Sequence, residues 1–313
     1  MEAVIQVQNL TRKFGDLVAV DHVEFGVYQG EIFGFLGPNG AGKTTTVRML
    51  TGVIDPSEGS VTILGHDTRK ESLLSREHIA VVPEEANVYL DFSVWKNLML
   101  MAELHGVTRD WRRREAERLL NTLGLAERKR QKARELSKGL KQRLMLCAAL
   151  VTGPEVLFLD EPTSGLDVQS ARLILQIVTD LNRNGLTVFL TTHNMSEASE
   201  MCSRVAIIDK GRIAAIDAPE KLSSTISSRQ YVEVRFAGAT PDHGKLESLP
   251  TVLQIDSDNR TYRLYTKMPG QVATQIVQLA DKSGLEIMHL STCKPTLEDV
   301  FLHFTGGSRE GGS

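Results

Sequence analysis

The chain has 313 residues, a length that suits two domains or one large domain with an appendage. Its 41% hydrophobic and 24% charged residues are ordinary globular usage and exclude disordered, collagen-like and low-complexity chains. Lysine plus arginine number 36 against 39 acids, a net charge of -3, which argues against a bulk-basic nucleic-acid binder.

The first 36 or so residues read as short strands. VIQVQNL (Val4 to Leu10) and AVDHVEFGV (Ala19 to Val27) alternate apolar and polar, and GEIFGFLG (Gly30 to Gly37) is a buried strand bounded by glycines. A helix follows over Thr44 to Leu50 and stops at Gly52, and GSVTILGHD reads as one further strand. From 93 to 135 strand formers thin out. Leu98, Met101, Ala102 and His105 fall at helical spacing, and RRREAERLLNTLG predicts a second helix. Strand signal returns in VLFLD and TVFLTTH. Strand and helix alternating at this spacing predict an α/β fold with a largely parallel sheet, with 93 to 151 as a helical insertion. Near residue 219 the pattern changes. YVEVRFAG, TVLQIDSD and TYRLYTK read as strands, the last two as a hairpin around Asp258-Asn259. GQVATQIVQLADKSG reads as a helix, LEIMHLS as a strand and PTLEDVFLHFTG as a last helix. GGSREGGS is expected to be a flexible tail.

Three cysteines without a C-x-x-C pair point to a reducing compartment. No apolar run approaches the ~18 residues that cross a bilayer, and the first residues do not resemble a signal peptide. The expectation is a soluble, cytoplasmic protein whose membrane role passes through a partner.

GPNGAGKT (Gly37 to Thr44) matches G-x-x-x-x-G-K-[ST] between a buried strand and a helix, the context the motif requires. Gly37, Gly40 and Gly42 let the backbone curl so that N–H groups face a phosphate, and the helix adds its positive end. Lys43 carries a mobile charge for the β- and γ-phosphates, and the Thr44 hydroxyl suits Mg²⁺. Pro38, Asn39, Ala41 and Thr45 complete the nucleotide-contacting stretch. VLFLDEP (Val156 to Pro162) ends a buried strand in two acids, which calls for a cation or substrate nearby. Asp160 is placed to hold Mg²⁺ through water, and Glu161 is the natural general base for an attacking water.

Three segments narrow the choice further. LSKGLKQR (Leu136 to Arg143) places Ser137 at a helix start, where serine is a good N-cap. SGLD (Ser164 to Asp167) follows the paired acids, and TTHNMSEA places His193 at a strand end. Pro83-Glu84-Glu85 lies between the phosphate loop and the helical insertion. In this order the chain resembles an ATP-binding-cassette (ABC) transporter ATPase subunit over residues 2 to about 220. The part ending TLEDVFLHFTG resembles the extension on ATPases of drug- and antibiotic-type exporters.

The resemblance implies a P-loop NTPase ABC ATPase domain over 1–220, with a helical subdomain at about 90–151. It adds a small α+β accessory domain over 221–305 and a tail over 306–313. It implies ATP and Mg²⁺ as cofactors and Phe14 stacked on adenine. Ser137 and Gly139 would contact the γ-phosphate of ATP on the opposite subunit, and Asp167 would bridge the subunits. His193 would reach the γ-phosphate and the attacking water. Glu84 stands where the family usually has Gln, on Mg²⁺ and the water, and Lys138 where many relatives have Gly. The implied partners are a separate transmembrane permease and a second ATPase subunit, as homodimer or heterodimer, with no nucleic acid. The implied place is the cytoplasmic face of the membrane, held there by the permease. The alternative is a soluble ABC ATPase acting on ribosomes or nucleic acid; a single Lys43-type loop and no heptad run count against it.

Two features stay open. Residues 109 to 134 hold ten Lys/Arg and four Asp/Glu, readable as a solvated face, a contact with anionic lipid headgroups or a nucleic-acid patch. Leu297, Val300, Phe301 and Phe304 form a helical stripe expected to be buried, on the domain's own sheet or on the other subunit's equivalent domain.

Overall fold

The computed structural model describes residues 3–85, 87–225, 230–238, 240–258 and 260–306. The chain divides into two compact units, Met1–Asp217 and Ala218–Ser313.

The first unit opens with two 12-residue strands, β1 (Ala3–Phe14) and β2 (Leu17–Tyr28), paired antiparallel. The alternation read as short strands belongs to two long ones. Asn9 and His22 sit at φ 50°, and the β1–β2 register shifts between Val7 and Leu10. Such bulges break the period-2 pattern without ending the strand.

Next come β3 (Ile32–Leu36), α1 (Lys43–Leu50), β4 (Glu58–Ile63) and β5 (His66–Asp67). The single strand expected over GSVTILGHD is instead a hairpin. Ile63 pairs with His66 across Leu64 and Gly65, both at positive φ (50° and 86°), as a two-residue type I′ turn demands. The chain continues through α2 (Ser72–Glu77), β6 (Ile79–Val82), α3 (Val94–Leu104), α4 (Arg109–Thr122) and α5 (Lys138–Leu150). It then runs through β7 (Val156–Asp160), α6 (Val168–Arg183), β8 (Thr187–Thr192), α7 (Met195–Met201), β9 (Arg204–Asp209) and β10 (Arg212–Asp217).

Two sheets result. One is antiparallel, in the order β2-β1-β4-β5; the other has the order β10-β9-β3-β8-β7-β6 and is parallel except for the β9–β10 pair. Strands β3, β7 and β8 are buried along their whole length, which is why they read as unbroken apolar runs. Phenylalanines join the two sheets. Phe25 of β2 stacks on Phe33 at 5.3 Å between centroids, and Phe189 lies 5.5–5.9 Å from Phe25, Phe33, Phe35 and Phe158. This packing holds the β3, β7 and β8 ends, where the chemistry-bearing residues sit, on a rigid base.

In the helical stretch Ser93 caps α3 by accepting from Lys96 N at 3.1 Å. Buried Asn97 accepts from Tyr89 N at 2.8 Å and donates to Tyr89 O at 3.1 Å, pinning the preceding loop. On the basic stretch Arg112, Arg118, Lys129 and Arg134 pair with Glu103, Glu115, Glu117 and Asp91. Trp111 is half exposed.

The second unit comprises α8 (Pro219–Thr225), β11 (Tyr231–Ala237), α9 (His243–Glu247), β12 (Val252–Asp258), β13 (Thr261–Thr266), α10 (Pro269–Ser283), β14 (Glu286–Cys293) and α11 (Leu297–Gly306). Its antiparallel sheet runs β12-β13-β11-β14. Strands β12 and β13 form the expected hairpin, with Asp258 opposite Thr261; Asn259 at its tip lies outside the described residues, as does the tail from 307 onward. Helix α10 starts at Pro269 and stops at Gly284, φ 63°, the usual start and stop residues. Its Val272, Ile276 and Ala280 pack on Val232, Val234, Phe236 and Leu264. In α11, Leu297 and Val300 are buried, but Phe304 is 40% exposed. The stripe expected to be buried therefore ends short of Phe304, within the last helical turn.

Candidate ATP site

The loop from β3 into α1 is shaped by glycine at two places. A Cβ on Gly37 would lie 2.5 Å from Ile208 O, and one on Gly42 (φ 107°) would lie 2.7 Å from Ala19 O. Gly42 is also the N-cap of α1, with no side chain capping the helix. The first-turn N–H groups, around Lys43, Thr44 and Thr45, are therefore free to meet an anion. Lys43 is 6% exposed and donates from Nζ to Gly37 O at 2.8 Å and to Pro38 O at 3.3 Å.

Strands β7 and β8 end side by side, and their last residues interlock. Asp160 Oδ1 accepts from Thr191 Oγ1 at 2.6 Å. The Glu161 amide donates to the same hydroxyl at 3.0 Å. Glu161 is 6% exposed and left-handed, φ 48°, a conformation costing roughly 1–3 kcal/mol that persists only where its surroundings enforce it. Its carboxylate lies between two basic side chains: Oε1 is 3.0 Å from Lys43 Nζ and accepts no hydrogen bond, while Oε2 is 2.8 Å from His193 Nδ1. Lys43, Glu161 and His193 thus form one contact chain where α1 begins and β7 and β8 end.

This chain lines a cleft of about 720 Å³, together with Phe14, Asn39, Gly40, Thr44 and Glu84. Phe14 is 47% exposed, at the β1–β2 turn, with the Arg12 guanidinium 4.6 Å from its ring centre. An exposed ring at the mouth of a phosphate-binding cleft offers a stacking surface for a purine. Glu84 Oε1 accepts from Ser164 Oγ at 3.2 Å.

The oxygen donors Thr44, Glu84 and Asp160 suit a hard cation. Among the described residues no group of three or more His, Cys, Asp or Glu side chains is placed to hold a metal alone. Thr44 and Glu84 line the cleft, whereas Asp160 is buried outside its lining with Oδ1 accepting from Thr191.

Ser137, Gly139 and Asp167 are not in the cleft lining. Ser137 caps α5, accepting from Leu140 N at 3.3 Å. Asp167 caps α6, accepting from Ser170 N at 2.8 Å and Ser170 Oγ at 2.7 Å; those bonds hold its carboxyl below the usual range. A Cβ on Gly139 would lie 2.7 Å from Ser170 Oγ, so glycine there lets the two helix starts approach closely. These three residues form a second cluster on the same unit.

Several residues around the cleft carry no signal of their own in the sequence. Leu17, Val18 and Lys210 line it, and Thr191 orders both acids. Thr191 and Thr192 are buried at the end of an apolar strand.

Residues 20–164 match the ABC transporter family, and residues 225–305 match the family described as ATP-binding protein DrrA1-3-like, C-terminal domain. The linearmycin resistance ATP-binding protein of Bacillus subtilis (strain 168) is 32% identical over 309 residues, 97% of this chain and 98% of that protein. The Nod factor export ATP-binding protein I of Burkholderia pseudomallei (strain 1710b) is 36% identical over 304 residues, 97% of each. A solved ATP binding subunit of an ABC transporter superposes with a TM-score of 0.66 at 26% identity, covering 71% of this chain and 92% of its own. The α/β architecture is thus that of the P-loop ABC ATPases. The chain belongs to the ABC transporter family, as one of its ATP-binding, ATP-hydrolysing proteins.

Proposed function

We propose that this ATPase energises export through a separate membrane permease, with ATP bound between two ATPase subunits, identical or different. The full-length similarity to a resistance protein and an export protein supports this direction. Among the described residues no helix is long and apolar enough to cross a membrane, so the transport path is assigned to the partner. The subunit would then lie on the cytoplasmic face. An apolar groove of about 370 Å³, lined by Ile79, Val81, Pro83, Val88, Tyr89 and Met101, adjoins the residue-84 loop and is the surface assigned to the permease.

In this reading the cleft holds ATP. Phe14 stacks on the base. Residues Gly37 to Thr45 cradle the phosphates through their amides, and Lys43 moves from Glu161 to the phosphate oxygens. Mg²⁺, held by Thr44, Glu84 and Asp160, would neutralise phosphate charge. Glu161 takes the proton of the attacking water, and His193 orients that water and the γ-phosphate. Ser137 and Gly139 face the ATP of the other subunit, with Asp167 at the seam. The ATPase domain is taken as 1–220 and the accessory domain as 221–305.

The observation that carries this reading is the buried Glu161 between Lys43 and His193. Co-purification with the permease, followed by a transport assay with Glu161→Gln, tests it. Transport lost while the complex still assembles is the expected result; transport at the normal rate overturns the assignment.

A further inference from the structure

Behind the Glu161–His193 contact lies a third polar link. Thr163 stands two residues after Glu161, and its Oγ1 donates to Glu197 Oε2 at 2.8 Å. Glu197 is one turn beyond His193, in the first turn of α7. Its own amide donates to the N-cap Asn194 Oδ1 at 3.3 Å, so its backbone is fixed at that helix start. Both Thr163 and Glu197 are partly buried. The two segments holding the base and the histidine are 32 residues apart. Beyond the β7–β8 pairing and the bonds that Thr191 makes to Asp160 and Glu161, two side-chain links join the segments, Glu161–His193 and Thr163–Glu197. The first link involves the two residues to which the proposed function gives chemical roles; the second involves neither of them.

We propose that Glu197 is a positioning residue for ATP hydrolysis, holding Glu161 and His193 in register through its hydrogen bond from Thr163. This rests on Glu161 acting as the base. A small misplacement of a base from its water costs up to about 10²-fold in rate, and this bond fixes the segment that carries Glu161. Burial pushes the Glu197 carboxyl above its usual range, against the opposing pull of the Thr163 hydrogen bond.

The test is steady-state ATP hydrolysis by the full-length protein and its variants, with kcat and KM read separately and a melting temperature for each. Glu197→Leu and Thr163→Val should each lower kcat about tenfold, with KM for ATP within about twofold. Glu197→Gln and Thr163→Ser, which keep an acceptor and a donor, should stay within about twofold of wild type. The double variant Thr163→Val/Glu197→Leu should be no slower than the slower single variant, because one bond is lost once. Multiplicative losses, Glu197→Gln as slow as Glu197→Leu, or a lowered melting temperature with unchanged kcat would each overturn the proposal. Glu161→Gln, assayed alongside, separates the two readings: a wild-type rate there removes the base assignment itself, whereas a slow Glu161→Gln with multiplicative losses removes only Glu197.

Discussion

In the six-stranded sheet of the first unit, charged and hydroxyl groups are buried where the strands end: Lys43, Asp160, Glu161, Thr191 and Thr192. In the four-stranded sheet of the second unit, Thr266 is the buried polar residue among those described, and the rest of its interior is apolar. Both sheets use the same packing physics, and only one accepts the cost of desolvating charges. That cost is repaid when the charges meet a ligand. The first unit also holds the cleft and the residues that match the ABC transporter family, and the predictions below test whether the second unit is dispensable for ATP chemistry.

The contrast breaks most visibly at Glu161. Replacing it with Gln should slow hydrolysis by about 10²–10⁴-fold, the usual worth of a positioned base, while ATP binding persists and an ATP-bound dimer accumulates. Single-turnover hydrolysis and gel filtration with ATP check this, and wild-type turnover would remove the base assignment. Lys43→Ala should weaken ATP binding and also destabilise the nucleotide-free protein, because it leaves Glu161 buried without its cation, a loss of about 3–5 kcal/mol. Adding Glu161→Gln should restore part of that stability in denaturant unfolding.

Core substitutions sharpen the comparison from the other side. Phe189→Ala and Phe236→Ala each remove a fully buried ring and should cost about 3–5 kcal/mol of stability. Only the first should also impair ATP binding, as calorimetry would show. The smallest effect is expected at Glu84. Glu84→Gln should keep activity within about tenfold, since either side chain offers an oxygen to Mg²⁺; complete loss would show that the carboxylate itself is required.

How much of this could be read from the chain differs by feature. The phosphate loop is legible because its backbone admits only glycine at 37 and 42, and because Lys43 and Thr44 open a helix at a fixed offset. The acids of β7 stand out because an apolar run ends in charge. The Thr163–Glu197 bond is invisible in sequence: the residues are 34 apart and meet because β7 and β8 are neighbours in the sheet. Strands β1 and β2 read short because the alternation spans only Val4–Leu10 and Ala19–Val27, whereas the pairing runs on through Arg12–Val20, Lys13–Val18 and Phe14–Leu17. The five-residue α9 is too short for a helical period to register. Phe304 fits the helical stripe by spacing, but spacing does not show where the buried face ends.

The claim that ATP chemistry belongs to the first unit is tested most directly on a chain ending at Pro219, by calorimetry of ATP binding with analytical ultracentrifugation. The account predicts a folded protein that binds ATP as the full chain does, but dimerises or assembles with its permease less well. A soluble, folded truncation that has lost ATP binding would contradict it.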